Sequence, residues 1–170
     1  TLEGSRPGMA MLVYSALHVM GRKGYQLLID TSISKANYFS ELINAQDDFE
    51  VITDPELCIL TYRYVPALVK DKLRHANKKQ VEMVTPALNI LTRFIQKRQR
   101  ETGRSFVSRT KLTPAQYHRE PTVVFRTVLA NPLTSEAMLQ DILQEQREIA
   151  ESADGLVEKV IQAARDARVI

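Results

Sequence analysis

The spacing of apolar residues changes period several times along the chain, and each change predicts an element. Met9 to Met20 is apolar nearly all round, the pattern of a helix buried on most sides, which would lie between domains or subunits. His18, inside that run, reads as a hydrogen-bonded core histidine. Gly21 is placed to end the helix, with Arg22 and Lys23 near its negative end. From Tyr25 to about Gln46, Leu27, Leu28, Ile33, Ala36, Phe39, Leu42 and Ile43 recur close to helical spacing, opposite Asp30, Ser34, Lys35 and Glu41. The period then shortens. Phe49–Thr53 and Leu57–Val65 are rich in β-branched and aromatic residues and predict two strands, with Asp54-Pro55 as the turn and Pro66 as the stop.

A polar link around Lys70 to Lys79 leads into a long helix, about Lys79 to Glu101, with Val84, Leu88, Leu91 and Ile95 along one side. Pro86 should kink that helix or mark its true start, and Gly103 should end it. Two further strands, roughly Ser105–Leu112 and Thr122–Ala130, flank the polar loop 113–121. The last helix starts near Thr134-Ser135-Glu136, good capping chemistry, and would bury Met138, Leu139, Ile142, Leu143 and Ile149. Beyond Gly155, Leu156 to Val169 forms an amphipathic arm that packs on a partner or frays. Helices before and after antiparallel-looking strands give an α+β fold, a sheet covered by helices on one face.

Composition narrows the class. With 170 residues, 44% of them hydrophobic and 25% charged, the chain can bury a sizeable core. The single cysteine, Cys58, excludes an internal disulfide framework and suits a reducing, cytoplasmic setting. The longest uncharged run, Pro7 to Gly21, is too short to span a bilayer, so no membrane partner is expected. A net charge of +3 does not by itself argue for nucleic acid, and the basic cluster Arg93, Lys97, Arg98, Arg100, Arg104 and Arg109 has no aromatic pair placed to stack bases. The 3 histidines and 1 cysteine lack metal-ligand spacing, and neither a Ser/His/Asp nor a P-loop pattern occurs.

Two places carry candidate chemistry. The first is the loop Thr1 to Gly8. Pro7 suits a first helical position, Gly4 and Gly8 allow close approach, and Ser5 and Arg6 at a helix start could bind an anion, phosphate above all. An ordinary loop and N-cap is the competing reading. The second is Arg126, which strand alternation sets between Val124 and Val128. A guanidinium in apolar surroundings needs a carboxylate or phosphate, from a ligand or from an internal salt bridge, and the pattern leaves both open. Arg63, also in a strand, matches no motif and reads as a solvated or salt-bridged edge residue.

Gly4-Ser5-Arg6-Pro7-Gly8 before an apolar helix, closed by Gly21-Arg22-Lys23-Gly24-Tyr25, resembles the pyridoxal-phosphate-dependent group II amino-acid decarboxylases. The likeness covers nearly all of this chain but only the last third or so of such an enzyme. It implies the small C-terminal domain of the aspartate-aminotransferase-like fold type I, preceded by a long buried linking helix. Residues 1–46 would join an absent large cofactor domain to a small α+β domain, 47–152, with a helical arm at 153–170. In glutamate decarboxylases a similar serine reaches the cofactor phosphate of the neighbouring subunit, so Ser5, with Gly4, is the implied pyridoxal 5'-phosphate contact. Their Phe-Arg-x-x-x-x-Asn-Pro segment matches Phe125-Arg126 and Asn131-Pro132, which makes Arg126 the implied ligand of the substrate α-carboxylate. The implied function is decarboxylation of a small amino acid of the glutamate, aspartate or 2,4-diaminobutyrate class, by a homodimer. No residue here matches the family's cofactor-holding lysine, so this segment should contribute no catalytic residue and be inactive alone. A non-enzymatic α+β dimerisation or nucleic-acid-binding module is the alternative.

Overall fold

The computed structural model describes residues 8–170. Helix α1 (Met9–Asn44) is broken at Gly21, whose φ of 64° and ψ of 178° lie in a region essentially reserved for glycine. Beyond the break, Ala36, Phe39 and Ile43 pack onto the sheet. Before it, the Met9–Met20 segment is largely exposed among the described residues. Met11, Tyr14 and Val19 are 73%, 69% and 85% exposed, so burial on most sides does not hold within the chain itself. His18 is exposed as well and stacks on Tyr14 with ring centroids 5.8 Å apart. It is therefore not a core histidine here, because nothing in the described residues encloses the helix that carries it.

Strands β1 (Phe49–Glu56), β2 (Ile59–Tyr64), β3 (Ser108–Leu112) and β4 (Thr122–Val128) form one antiparallel sheet in the order β1-β2-β4-β3. Asp54-Pro55 is not the first turn. Both residues lie in β1, an edge strand whose register shifts between Val51 and Thr53 and again before Glu56, and an irregular edge tolerates a proline that cannot donate to the ladder. The chain reverses at Leu57-Cys58 instead, with Leu57 at a φ of 54°.

One face of the sheet is the core. Phe39, Phe49, Tyr62, Tyr64 and Phe125 interlock there, with ring centroids 5.2 Å apart for Tyr62–Phe125 and 5.3 Å for Phe39–Tyr62 and for Phe49–Tyr64. Phe39–Tyr62 and Phe49–Tyr64 meet edge-on, and such contacts contribute about 0.5–1.5 kcal/mol each beyond the area they bury. Helices α1, α3 (Lys78–Thr102) and α4 (Glu136–Glu151) cover this face. Helix α3 begins with a capping box, Asn77 and Gln80 each accepting from the other's backbone N–H, runs through Pro86, and ends at Gly103 in the left-handed conformation. In α4 the buried stripe is Leu139, Leu143, Ile149 and Ala150, while Met138 at the first turn is 54% exposed.

Two further elements depart from the sequence reading. The link around 70–79 contains a helix, α2 (Ala67–Arg74), whose Val69 and Leu73 are buried among charged residues. The final helix α5 (Leu156–Asp166) does not fray: Val160 and Ala164 are fully buried, and Gln80 donates to the carbonyls of Ala167 and Arg168. Among the described residues no helix is long and apolar enough to cross a membrane.

Candidate functional site

The second face of the sheet divides into a covered half and an open half. Residues directly opposite in an antiparallel pair share a face, so the register places Thr53, Thr61, Arg126 and Ser108 in one row across all strands. Glu50 and Arg63 stand in the next row toward the covered half, about 7 Å along the strands. Ile59 and Val128 face each other in the row on the open side.

The loop 113–121 covers the Glu50–Arg63 half. It carries a short 3-10 turn, Ala115–Tyr117, and doubles back through His118 and Arg119, both at positive φ. The Tyr117 ring is buried beneath it, 4.4 Å from the Arg63 guanidinium carbon, and its hydroxyl donates to Glu50 Oε2 at 2.5 Å. Arg63 Nε donates to Glu50 Oε1 at 2.5 Å with both side chains at 0% exposure, and the half-exposed Arg74 reaches Glu50 Oε2 at 3.5 Å. Burial opposes the Arg63 charge, but Glu50 and Tyr117 together more than offset it and hold the guanidinium firmly protonated. Burial, with Glu50 second, pushes the Tyr117 phenol well above its ordinary range. Arg63 is thus salt-bridged, as one branch of the sequence reading held. It is neither solvated nor at an edge, since β2 is an interior strand.

Arg126 is placed differently. It is exposed on the open half and forms no ion pair among the described residues. The internal salt bridge that its setting allowed belongs to Arg63 instead. Ile59 and Val128, 43% and 50% exposed, give the Arg126 row an apolar border, and Thr61 beside it is occupied by a 2.6 Å hydroxyl contact with Thr53. Ser108 accepts from Arg126 Nε at 3.2 Å and donates to the Arg126 carbonyl at 2.8 Å. Asn131 and Pro132, just beyond β4, are tied back to α1 by Lys35, whose ammonium donates to both carbonyls, at 3.2 and 2.6 Å. The arrangement leaves the guanidinium exposed beside apolar surface, chemistry that suits a carboxylate.

Gly4 and Ser5 lie outside the described residues. Nor did sequence reasoning find Ser108 or the Glu50–Arg63–Tyr117 cluster. A serine or a glutamate in a strand is unremarked until the register shows what stands opposite it. Among the described residues no group of three or more His, Cys, Asp or Glu could hold a metal ion.

No family model matches the chain. Over 154 residues, 91% of its length, it is 61% identical to aspartate 1-decarboxylase of Aliivibrio fischeri. The chain belongs with the pyridoxal-phosphate-dependent group II decarboxylases, as a C-terminal domain. It is also 28% identical to aromatic-L-amino-acid decarboxylase of Bacillus atrophaeus over 146 residues, 84% of the chain. The chain spans 28% of the first of these relatives and 26% of the second. Solved structures share the fold. Mouse CSAD in apo form superposes with a TM-score of 0.70 over 88% of the chain and 29% of its own length, at 19% identity. Oryza sativa TDC with PLP and tryptamine gives 0.59 over 82% and 26%, at 16% identity.

Proposed function

We propose that this is the substrate-positioning C-terminal domain of a pyridoxal 5'-phosphate-dependent L-amino-acid decarboxylase, a carboxy-lyase of fold type I, and that an acidic amino acid, aspartate first, is its substrate. The observation that carries the reading is Arg126, an exposed guanidinium on an interior strand with no ion pair among the described residues. The 61% identity to a decarboxylase of aspartate supports the substrate class.

The residues present fit a domain that aims a substrate and leaves the cofactor to another. Arg126 can grip a carboxylate by two parallel charge-assisted hydrogen bonds, which fixes the plane of that group and the direction of its bond to Cα. Ile59 and Val128 beside it exclude water once a second surface closes over them, and such bonds strengthen as the surroundings dry. The chemistry that pyridoxal phosphate would supply, when bound, is an electron sink for decarboxylation. Gly4 and Ser5 would approach its phosphate in a partner subunit. The exposed apolar run Met9–Met20 supports a homodimer, with 1–46 as linking segment, 47–152 as small domain and 153–170 as arm. Without a large domain to hold the cofactor, the chain alone is inactive.

The test is decarboxylation kinetics and thermal unfolding on the same full-length Arg126→Lys protein. Lysine keeps the charge and loses the planar fork, so turnover should fall on the order of a hundredfold from misorientation, with little change in melting temperature. Near-normal turnover would sink the assignment.

A further inference from the structure

We propose that Ser108 is a positioning residue that forces the substrate carboxylate onto one edge of Arg126; the inference rests on the decarboxylase reading above. A guanidinium offers a carboxylate two double-donor edges, the side edge formed by Nε with one Nη and the end edge formed by both Nη groups. In this structure the side edge is already engaged. Ser108 stands directly opposite Arg126 across the β3–β4 ladder, and its hydroxyl accepts from Nε at 3.2 Å while giving its own proton to the Arg126 carbonyl at 2.8 Å. The hydroxyl has one proton, and that second bond commits it, so its lone pair is held toward Nε. The Nη groups make no hydrogen bond among the described residues. A carboxylate arriving at the open half of the sheet therefore meets the end edge alone.

The consequence concerns orientation more than affinity. Removing the hydroxyl frees Nε, and both edges then compete for the same carboxylate at comparable strength. The two modes differ in the direction of the bond from the carboxylate to Cα, and only one direction suits bond cleavage. Ser108 thereby selects the productive mode without touching the substrate.

The experiment uses the full-length, cofactor-loaded enzyme with Ser108→Ala, Ser108→Thr and Arg126→Lys. Ser108→Ala should lower kcat by about 10- to 100-fold, within the range for lost positioning, with a smaller change in KM. Ser108→Thr keeps a hydroxyl on a residue that suits a strand and should recover most of the loss. The product amine, which has no α-carboxylate, should inhibit wild type and Ser108→Ala equally, a readout that a loosened fold would not preserve. Unchanged kcat in Ser108→Ala beside an impaired Arg126→Lys enzyme overturns the role of Ser108 and leaves Arg126 in place. Normal turnover in both variants overturns the carboxylate reading as well. Equal weakening of substrate and product amine in Ser108→Ala makes the serine structural, and that too overturns the proposal.

Discussion

Replacing Arg63 by methionine should be among the most damaging single changes in this fold, and replacing Glu50 along with it should undo much of the damage. In the Arg63→Met chain the Glu50 carboxylate stays at 0% exposure, with the Tyr117 hydroxyl as its close donor and Arg74, half in solvent, 3.5 Å away. Breaking a buried pair from one side costs about 3–5 kcal/mol, because the remaining charge is left without compensation. Glu50→Leu should cost a similar amount: it strands a guanidinium whose two Nη groups already lack hydrogen-bond partners among the described residues. The double variant removes both charges. Its remaining defect is the Tyr117 hydroxyl without an acceptor, about 1–3 kcal/mol. The two single costs are therefore far from additive, with a coupling of at least about 3 kcal/mol. Urea unfolding of the four proteins, followed by circular dichroism, gives the cycle if the denaturant slopes agree. Additive losses would mean that Glu50 and Arg63 do not act as a pair, and a buried ion pair could no longer explain how the covered half is held together.

Burial lifts the Tyr64 phenol to about 12, and it pushes Tyr62 and Tyr117 further up. Each stays protonated in the fold beyond its unfolded value near 10, so this stability is complete below about pH 10 and lost as pH rises through the folded values. Unfolding free energy measured across that window should fall, and less steeply in Tyr117→Phe; a flat profile to about pH 12 would contradict it. Gly21→Ala should turn the break in α1 into regular helix, because an added Cβ meets nothing within 4 Å and only the backbone conformation resists it. Spin labels at Val13 and Gln46 in a Cys58→Ser background would report the redirected segment, and an unchanged distance would refute this. Ser5→Ala in the full-length enzyme should weaken cofactor binding by about 1.5–3 kcal/mol, read as the dissociation constant; an unaltered constant returns Ser5 to an ordinary loop role.

Much of this fold is legible in the sequence where local chemistry and burial agree. Gly103, Ser135 and Gly155 mark helix limits by mechanisms confined to a few residues, and all three act where the pattern placed them. The misreadings share a different cause, in that each depends on a partner remote in sequence. Pro55 reads as a turn unless β1 is known to be an edge strand, and Val69 and Leu73 are too few to announce α2 without the surface they bury against. Arg63 looks like a solvated residue because its complement, Glu50, is 13 positions away and its cover, Tyr117, lies in a loop. At the candidate site, alternation puts Arg126 on the face away from the aromatic core, where the register also places it. That it stands clear of the buried pair, and that Ser108 holds its Nε, are facts of register which no single strand carries.

The strand order has a mechanical consequence. Because β4 lies between β2 and β3, it is laced by backbone hydrogen bonds on both edges, and Lys35 moors the segment that follows it. The base of Arg126 therefore has almost no freedom of its own. Any movement that brings it nearer to a bound molecule, or takes it away, must carry all the strands and the helices behind them as one piece. Reach is left to the side chain beyond Cβ, and depth of engagement becomes a docking coordinate of the domain as a whole.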